Sequence, residues 1–212
     1  MVLDLLASQA TVLTVTIVTF LLTLFLAFAL TKKYADKKQS SYLYWSLGLW
    51  FFAIGVLLEI LFAAGIYSEF LIDSYLLVVV VLVEFLALGS IELVKTNVIR
   101  QAYFAFAVLA TVFTAYTLII SYVGNVLVSY VVQGNLPLLV IVSSSIATFA
   151  AAIVLVVMAI KSYIATRSNK MLSIIAGVVI VSIAGTLYIA QFPAFLYIAE
   201  FVGVLLLWVG FI

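Results

Sequence analysis

The chain has 212 residues and a formal net charge of +1, with 68% hydrophobic and 8% charged residues. Soluble domains carry about 45–50% apolar and about 25% charged residues, so a water-soluble fold is excluded and lipid is the expected solvent. Cysteine and histidine are both absent, which excludes disulfides, iron–sulfur clusters, c-type haem attachment and thiol nucleophiles, and leaves only oxygen ligands for hard cations.

A membrane-crossing helix needs roughly 20 mostly apolar residues. Seven stretches qualify, at 9–30, 42–66, 72–94, 102–124, 136–160, 171–190 and 194–212. They predict an all-α integral membrane bundle of seven transmembrane helices, a single domain over residues 1–212. The segment before the first stretch carries Asp4 and no basic residue. With no positive n-region and an apolar run too long for a cleaved signal peptide, the first stretch reads as a retained helix. The second opens on Tyr42, Tyr44, Trp45 and Trp50, and the seventh closes near Trp208, where amphipathic rings anchor in the headgroup region. Between the fourth and fifth stretches, the segment 125–135 contains VLVSYVV and is expected to lie along the interface as a short apolar piece. Pro137 and Pro193 stand at helix starts, where the missing N–H costs little.

All nine Lys and Arg residues fall in three separators, four in 31–41 (KKYADKK), two in 95–101 (KTNVIRQ) and three in 161–170 (KSYIATRSNK). The alternate separators have none. Basic residues resist translocation, so the N-terminus is expected outside and the C-terminus cytoplasmic, in a multi-pass protein of the cell membrane. Helices 1–3 and 5–7 then share an orientation, suggesting a 3+1+3 organisation of 9–94 and 136–212 around 102–124. Glu84 is matched with Glu200, and Gly48 and Gly55 with Gly177 and Gly185.

Carboxylates in hydrocarbon are costly, at about 2.5–3.5 kcal/mol on insertion scales, and each asks for a reason. Glu92 lies three residues before Lys95 and is expected to pair with it on one helix face. Glu59, Glu84 and Glu200 have no Lys or Arg at their depth. Gly48, Phe52, Gly55, Glu59 and Ala63 form one helical stripe, and Glu200, Gly203, Leu207 and Gly210 another. Small residues allow close helix approach, so both glutamates are expected to face inward. The three glutamates are candidates for a proton- or cation-binding site; the alternative is a set of protonated acids fixing neighbouring helices. Thr16, Thr19 and Thr23, then Thr111, Thr114, Thr117 and Ser121, then Ser143–Ser145 and Thr148 form hydroxyl seams that suit interhelical packing. Tyr188 and Tyr197 are candidates to line an outer cavity near Glu200.

With seven helices, N-terminus out, the topology resembles that of microbial rhodopsins. The resemblance implies a retinal-linking lysine in the seventh helix, and AFLYIAEFVGVLLLWVGFI has none. The 3+1+3 layout is similar to that of SWEET sugar transporters, without their proline-bearing helix pattern. The run YLYWSLGLWFFAIGVLLEILFAAG and the later LALGSIEL resemble uncharacterised prokaryotic seven-helix proteins. Related modules serve as membrane sensors ahead of a signalling output, which would here have to come from a separate partner, since the chain ends at Ile212. The absence of Cys and His with abundant Val, Ile and Tyr fits a heat-adapted, archaeal-like source.

No catalytic or cofactor-binding motif is present, so a non-enzyme without cofactor or metal is expected. Three readings follow. The first is an accessory or scaffold subunit of a larger membrane complex, with lipid, other subunits or further copies of itself as partners. The second is a small transporter or ion-conducting bundle using the intramembrane glutamates, and the third a sensor of lipid or apolar ligands. The short basic clusters are topogenic and do not form a nucleic-acid surface.

Overall fold

The computed structural model describes residues 9–124, 127–128, 131–132, 136–170, 172–177, 179–180 and 193–211. Seven helices are seen among them: α1 (Gln9–Lys37), α2 (Ser40–Ala63), α3 (Glu69–Ile91), α4 (Asn97–Ile120), α5 (Leu138–Thr166), α6 (helical residues within 169–180) and α7 (Pro193–Phe211). Helices α1 to α5 are long and apolar enough to cross a membrane, and the apolar stretch Tyr197–Phe211 of α7 is shorter. This is a helical membrane protein.

The helices outrun the stretches read from hydropathy. Helix α1 has 29 residues, a rise of about 43 Å against about 30 Å of hydrocarbon. The separators expected as loops are therefore mostly helix. KKYADK continues α1, Asn97–Arg100 opens α4 and Lys161–Thr166 closes α5. None of these segments contains Gly or Pro, and Lys and Ala favour helix. Lysines at a C-terminal turn also oppose the negative end of the helix dipole.

The turn from α2 to α3 is made differently. Gly65 takes φ 81°, its N–H donates to the Phe62 carbonyl, and the Ile66 N–H donates to Leu61, both at 2.9 Å. That is a Schellman closure, which needs a left-handed residue. Ser68 then caps α3, its Oγ accepting from the Leu71 N–H at 3.3 Å.

Helix α2 lies between α1 and α3; α3 also packs on α4 and α5, α4 on α5, and α1 on α7. The main core joins Leu26, Ala27 and Leu30 of α1, Leu49, Phe52 and Val56 of α2, Leu82 of α3, and Val204 and Leu207 of α7. Short turns make successive helices antiparallel, so the three basic corners share one end of the bundle. At that basic end the Lys33 ammonium donates to the Phe211 carbonyl of α7. Trp50 donates to Thr31 at 3.1 Å and Trp45 to Ser90 at 3.3 Å.

Within 125–135 the described residues form a two-residue antiparallel pair, β1 (Leu127–Val128) with β2 (Val131–Val132), and β2 lies against α2. Pairing lets these apolar residues satisfy backbone groups on one another.

The hydroxyl seams act mainly within their own helices. Thr16, Thr19 and Thr23 donate to the carbonyls of Val12, Val15 and Thr19, and Thr114 and Thr148 likewise donate four residues back. Thr117 with Ser143, at 2.7 Å, joins α4 to α5.

Candidate functional site

The stripe on α2 is buried along its length, through Gly48, Phe52, Gly55, Glu59 and Ala63. Its glycines bring α2 close to α3: a Cβ on Gly48 would lie 2.8 Å from Leu86 Cδ2 and 3.1 Å from the Leu82 carbonyl oxygen. Such contact holds Glu59, 4% exposed, against the neighbouring helices. On α7, Glu200, Gly203, Leu207 and Gly210 form the matching buried stripe.

The two stripes bring the buried Glu59 and Glu200 side chains together, close enough for their carboxyls to interact electrostatically. Tyr75 of α3 completes the group, its hydroxyl donating to Glu59 Oε1 at 2.7 Å. Two carboxylates side by side oppose one another's charge, so such a pair is suited to holding a proton. Glu59 Oε2 is buried without a hydrogen-bond partner among the described residues.

The pair is enclosed. One turn nearer the non-basic end, Ala63 and Tyr197 pack with Val12. Within one or two turns nearer the basic end lie Val56, Phe52 and Val204 of the main core. Gln9 anchors the rim, its Nε2 donating to the otherwise free Ala63 carbonyl at 2.8 Å. Two carboxyls and a phenol between apolar layers offer oxygen donors suited to a proton or a small hard cation. No group of three or more His, Cys, Asp or Glu side chains occurs among the described residues.

Glu84 does not join this site. Nine residues beyond Tyr75 on α3, it stands about 13 Å along the axis and half a turn round the helix. It is 2% exposed and faces α4, where the Tyr103 hydroxyl donates to its Oε2 at 2.8 Å. Its Oε1 is buried without a hydrogen-bond partner among the described residues. Glu92 pairs with Arg100 of α4 at 3.2 Å, whereas Lys95 was the expected partner. Helix α3 ends at Ile91, so Glu92 and Lys95 no longer share a helical face. Tyr197 is buried beside the pair, and Tyr188 lies outside the described residues.

Sequence reasoning missed three groups. Tyr75 and Tyr103 are the hydroxyl partners of the buried acids; each lies near the end of its apolar stretch, where a phenol reads as a headgroup anchor. Asp73, half-buried one turn into α3, keeps a buried Oδ1 without a hydrogen-bond partner among the described residues.

No protein-family model matches the chain, and neither does any curated protein or solved structure.

Proposed function

We propose that this chain is a small proton-coupled membrane transporter, spanning the membrane seven times with its basic corners in the cytoplasm, and that Glu59 and Glu200 form its proton-exchange site. The observation that carries this reading is the enclosed carboxyl pair, contributed by α2 and α7 with Tyr75 as donor. A purely structural cross-link could be made by neutral amides, without two ionisable groups at this depth. A pair that shares a proton can release it when the flanking layers of Val12, Ala63 and Tyr197, or of Phe52, Val56 and Val204, part on one side.

The test is proton flux into proteoliposomes loaded with a pH-sensitive dye, under an imposed membrane potential. Wild type is expected to acidify the lumen, and Glu59→Gln and Glu200→Gln each to abolish this while the proteins stay monodisperse. Flux unchanged in both variants, or none in the wild type, overturns the reading.

A second reading, an accessory subunit of a membrane assembly, is favoured by α4. That helix presents Phe104, Leu109, Val112, Tyr116 and Ile119 on a broad exposed face. Purification from native membranes in mild detergent separates the two: a stoichiometric partner supports the subunit, and a lone chain supports the transporter.

A further inference from the structure

We infer that the chain is a tandem duplication of one three-helix unit, with α1–α3 repeated as α5–α7, and that each half presents the surface that its twin recognises. The halves are related by a pseudo-twofold axis running along the helices, and α4 is the connector that lets both run in the same direction.

Helices α1 and α5 both have 29 residues, and one shift of 129 carries Gln9 onto Leu138 and Lys37 onto Thr166. The next residue at each corner, Lys38 or Arg167, takes φ 52°, and these are the two non-glycine residues with positive φ among those described. Their N–H groups donate four residues back, to the Tyr34 and Tyr163 carbonyls, at 2.8 and 2.7 Å. Each cation also lies over the ring of that same tyrosine, at 5.5 and 5.9 Å. Helix resumes at Ser40 in one half and at residue 169 in the other.

The helix contacts repeat in the same register. Under the shift of 129, Gly48 becomes Gly177; under a shift of 121, Leu82, Leu86 and Gly89 of α3 become Gly203, Leu207 and Gly210 of α7. A Cβ on Gly48 would meet the Leu82 carbonyl oxygen at 3.1 Å and Leu86 Cγ at 2.9 Å. On Gly177 it would meet the Gly203 carbonyl oxygen at 2.9 Å and Leu207 Cγ at 3.2 Å. Gly89 makes room for Trp45, and Gly210 for Ile174, the residue onto which Trp45 shifts. Between the halves, α3 packs on α5 and α7 packs on α1, two seams that a twofold rotation exchanges. Ala159 of α5 matches Leu30 of α1, while Val140, Ser143, Ala147 and Ala151 fall one or two residues early relative to the buried positions of α1; α5 also packs on α4, which has no counterpart.

This register separates Glu84 from Glu200: their counterparts are Leu205 and Val79, and that of Glu59 is Tyr188. The scaffold is doubled while the carboxyl pair is single, with one acid drawn from each half.

A twofold makes crossed distances equal, and the absence of cysteine allows clean spin-labelling of the full chain in nanodiscs. Phe51→Cys with Ala150→Cys spans α2 to α5, and Ile180→Cys with Leu21→Cys spans the equivalent α6 to α1. Pulsed electron resonance is expected to give the same distance for both pairs. A difference larger than a helix diameter, about 10 Å, overturns the duplication. Should a pair disturb folding, Leu43→Cys with Lys161→Cys against Leu172→Cys with Lys32→Cys makes the same comparison at the basic corner and decides in the same way.

Discussion

Tyr75 and Tyr103 perform the same task for different acids, and their surroundings set the cost of losing each. Glu59 has the Tyr75 hydroxyl on one oxygen and no hydrogen-bond partner among the described residues for the other, but the Glu200 carboxyl lies beside it. Glu84 has Tyr103 for one oxygen and no hydrogen-bond partner among the described residues for the other. Interhelical hydrogen bonds in membranes average about 0.6 kcal/mol and reach about 1.7 kcal/mol. Tyr75→Phe is expected near the lower figure and Tyr103→Phe near the upper, measured by reversible unfolding in mixed detergent micelles. The reverse order would mean that Glu84 has a further partner, such as an enclosed water, that Glu59 lacks. Asp73 is a milder case, because it is only half-buried.

Among the helices, two glycines make opposite demands. A methyl group on Gly89 would overlap the Trp45 indole, whereas one on Gly55 would meet Val78 Cγ1 at 3.6 Å, an ordinary contact. Overpacking costs about 1–3 kcal/mol, and alanine is favoured over glycine in a helix interior by about 0.8–1.0 kcal/mol. Gly89→Ala is therefore expected to lower the thermal midpoint and Gly55→Ala to hold or raise it, as read by detergent-phase unfolding. The stripe containing both Gly55 and Glu59 was legible in the sequence, because helical periodicity is local. So were the apolar cores of α1 to α5. The helix ends were not, because lysines interrupt hydropathy yet extend a helix readily. The meeting of Glu59 with Glu200 depends on α2 and α7 becoming neighbours, and no spacing along the chain encodes that. The turn at Gly65 and Ser68 was written in its residues, yet hydropathy alone ran the second span past it.

Across the whole molecule, the three basic corners at one end make orientation testable. Asn169 at a basic corner and Tyr67 at the opposite end are both exposed, and each can be replaced by a single cysteine in a chain that has none. A membrane-impermeant maleimide is expected to label Tyr67→Cys in intact cells and Asn169→Cys only after permeabilisation. The opposite pattern would invert the bundle. The carboxyl pair would then open first toward the cytoplasm, since Glu59 sits about 6 Å, one helical turn, from the Ala63 end of α2. Helix α7 closes against α1, its Val204 and Leu207 in the main core and its Phe211 carbonyl accepting from Lys33.

That closure bears on how the protein is made. Glu59 and Glu200 are separated by about 140 residues of chain, which a ribosome adds in roughly 7 to 30 s at about 5–20 residues per second. For that interval the second helix is in or beside the bilayer without its acidic partner. Its carboxyl must stay protonated, be shielded by Tyr75, or be held by the insertion machinery until the seventh helix emerges. The newborn chain therefore passes through a period in which an acid buried in the finished bundle is an exposed liability, and the arrival of α7 ends it.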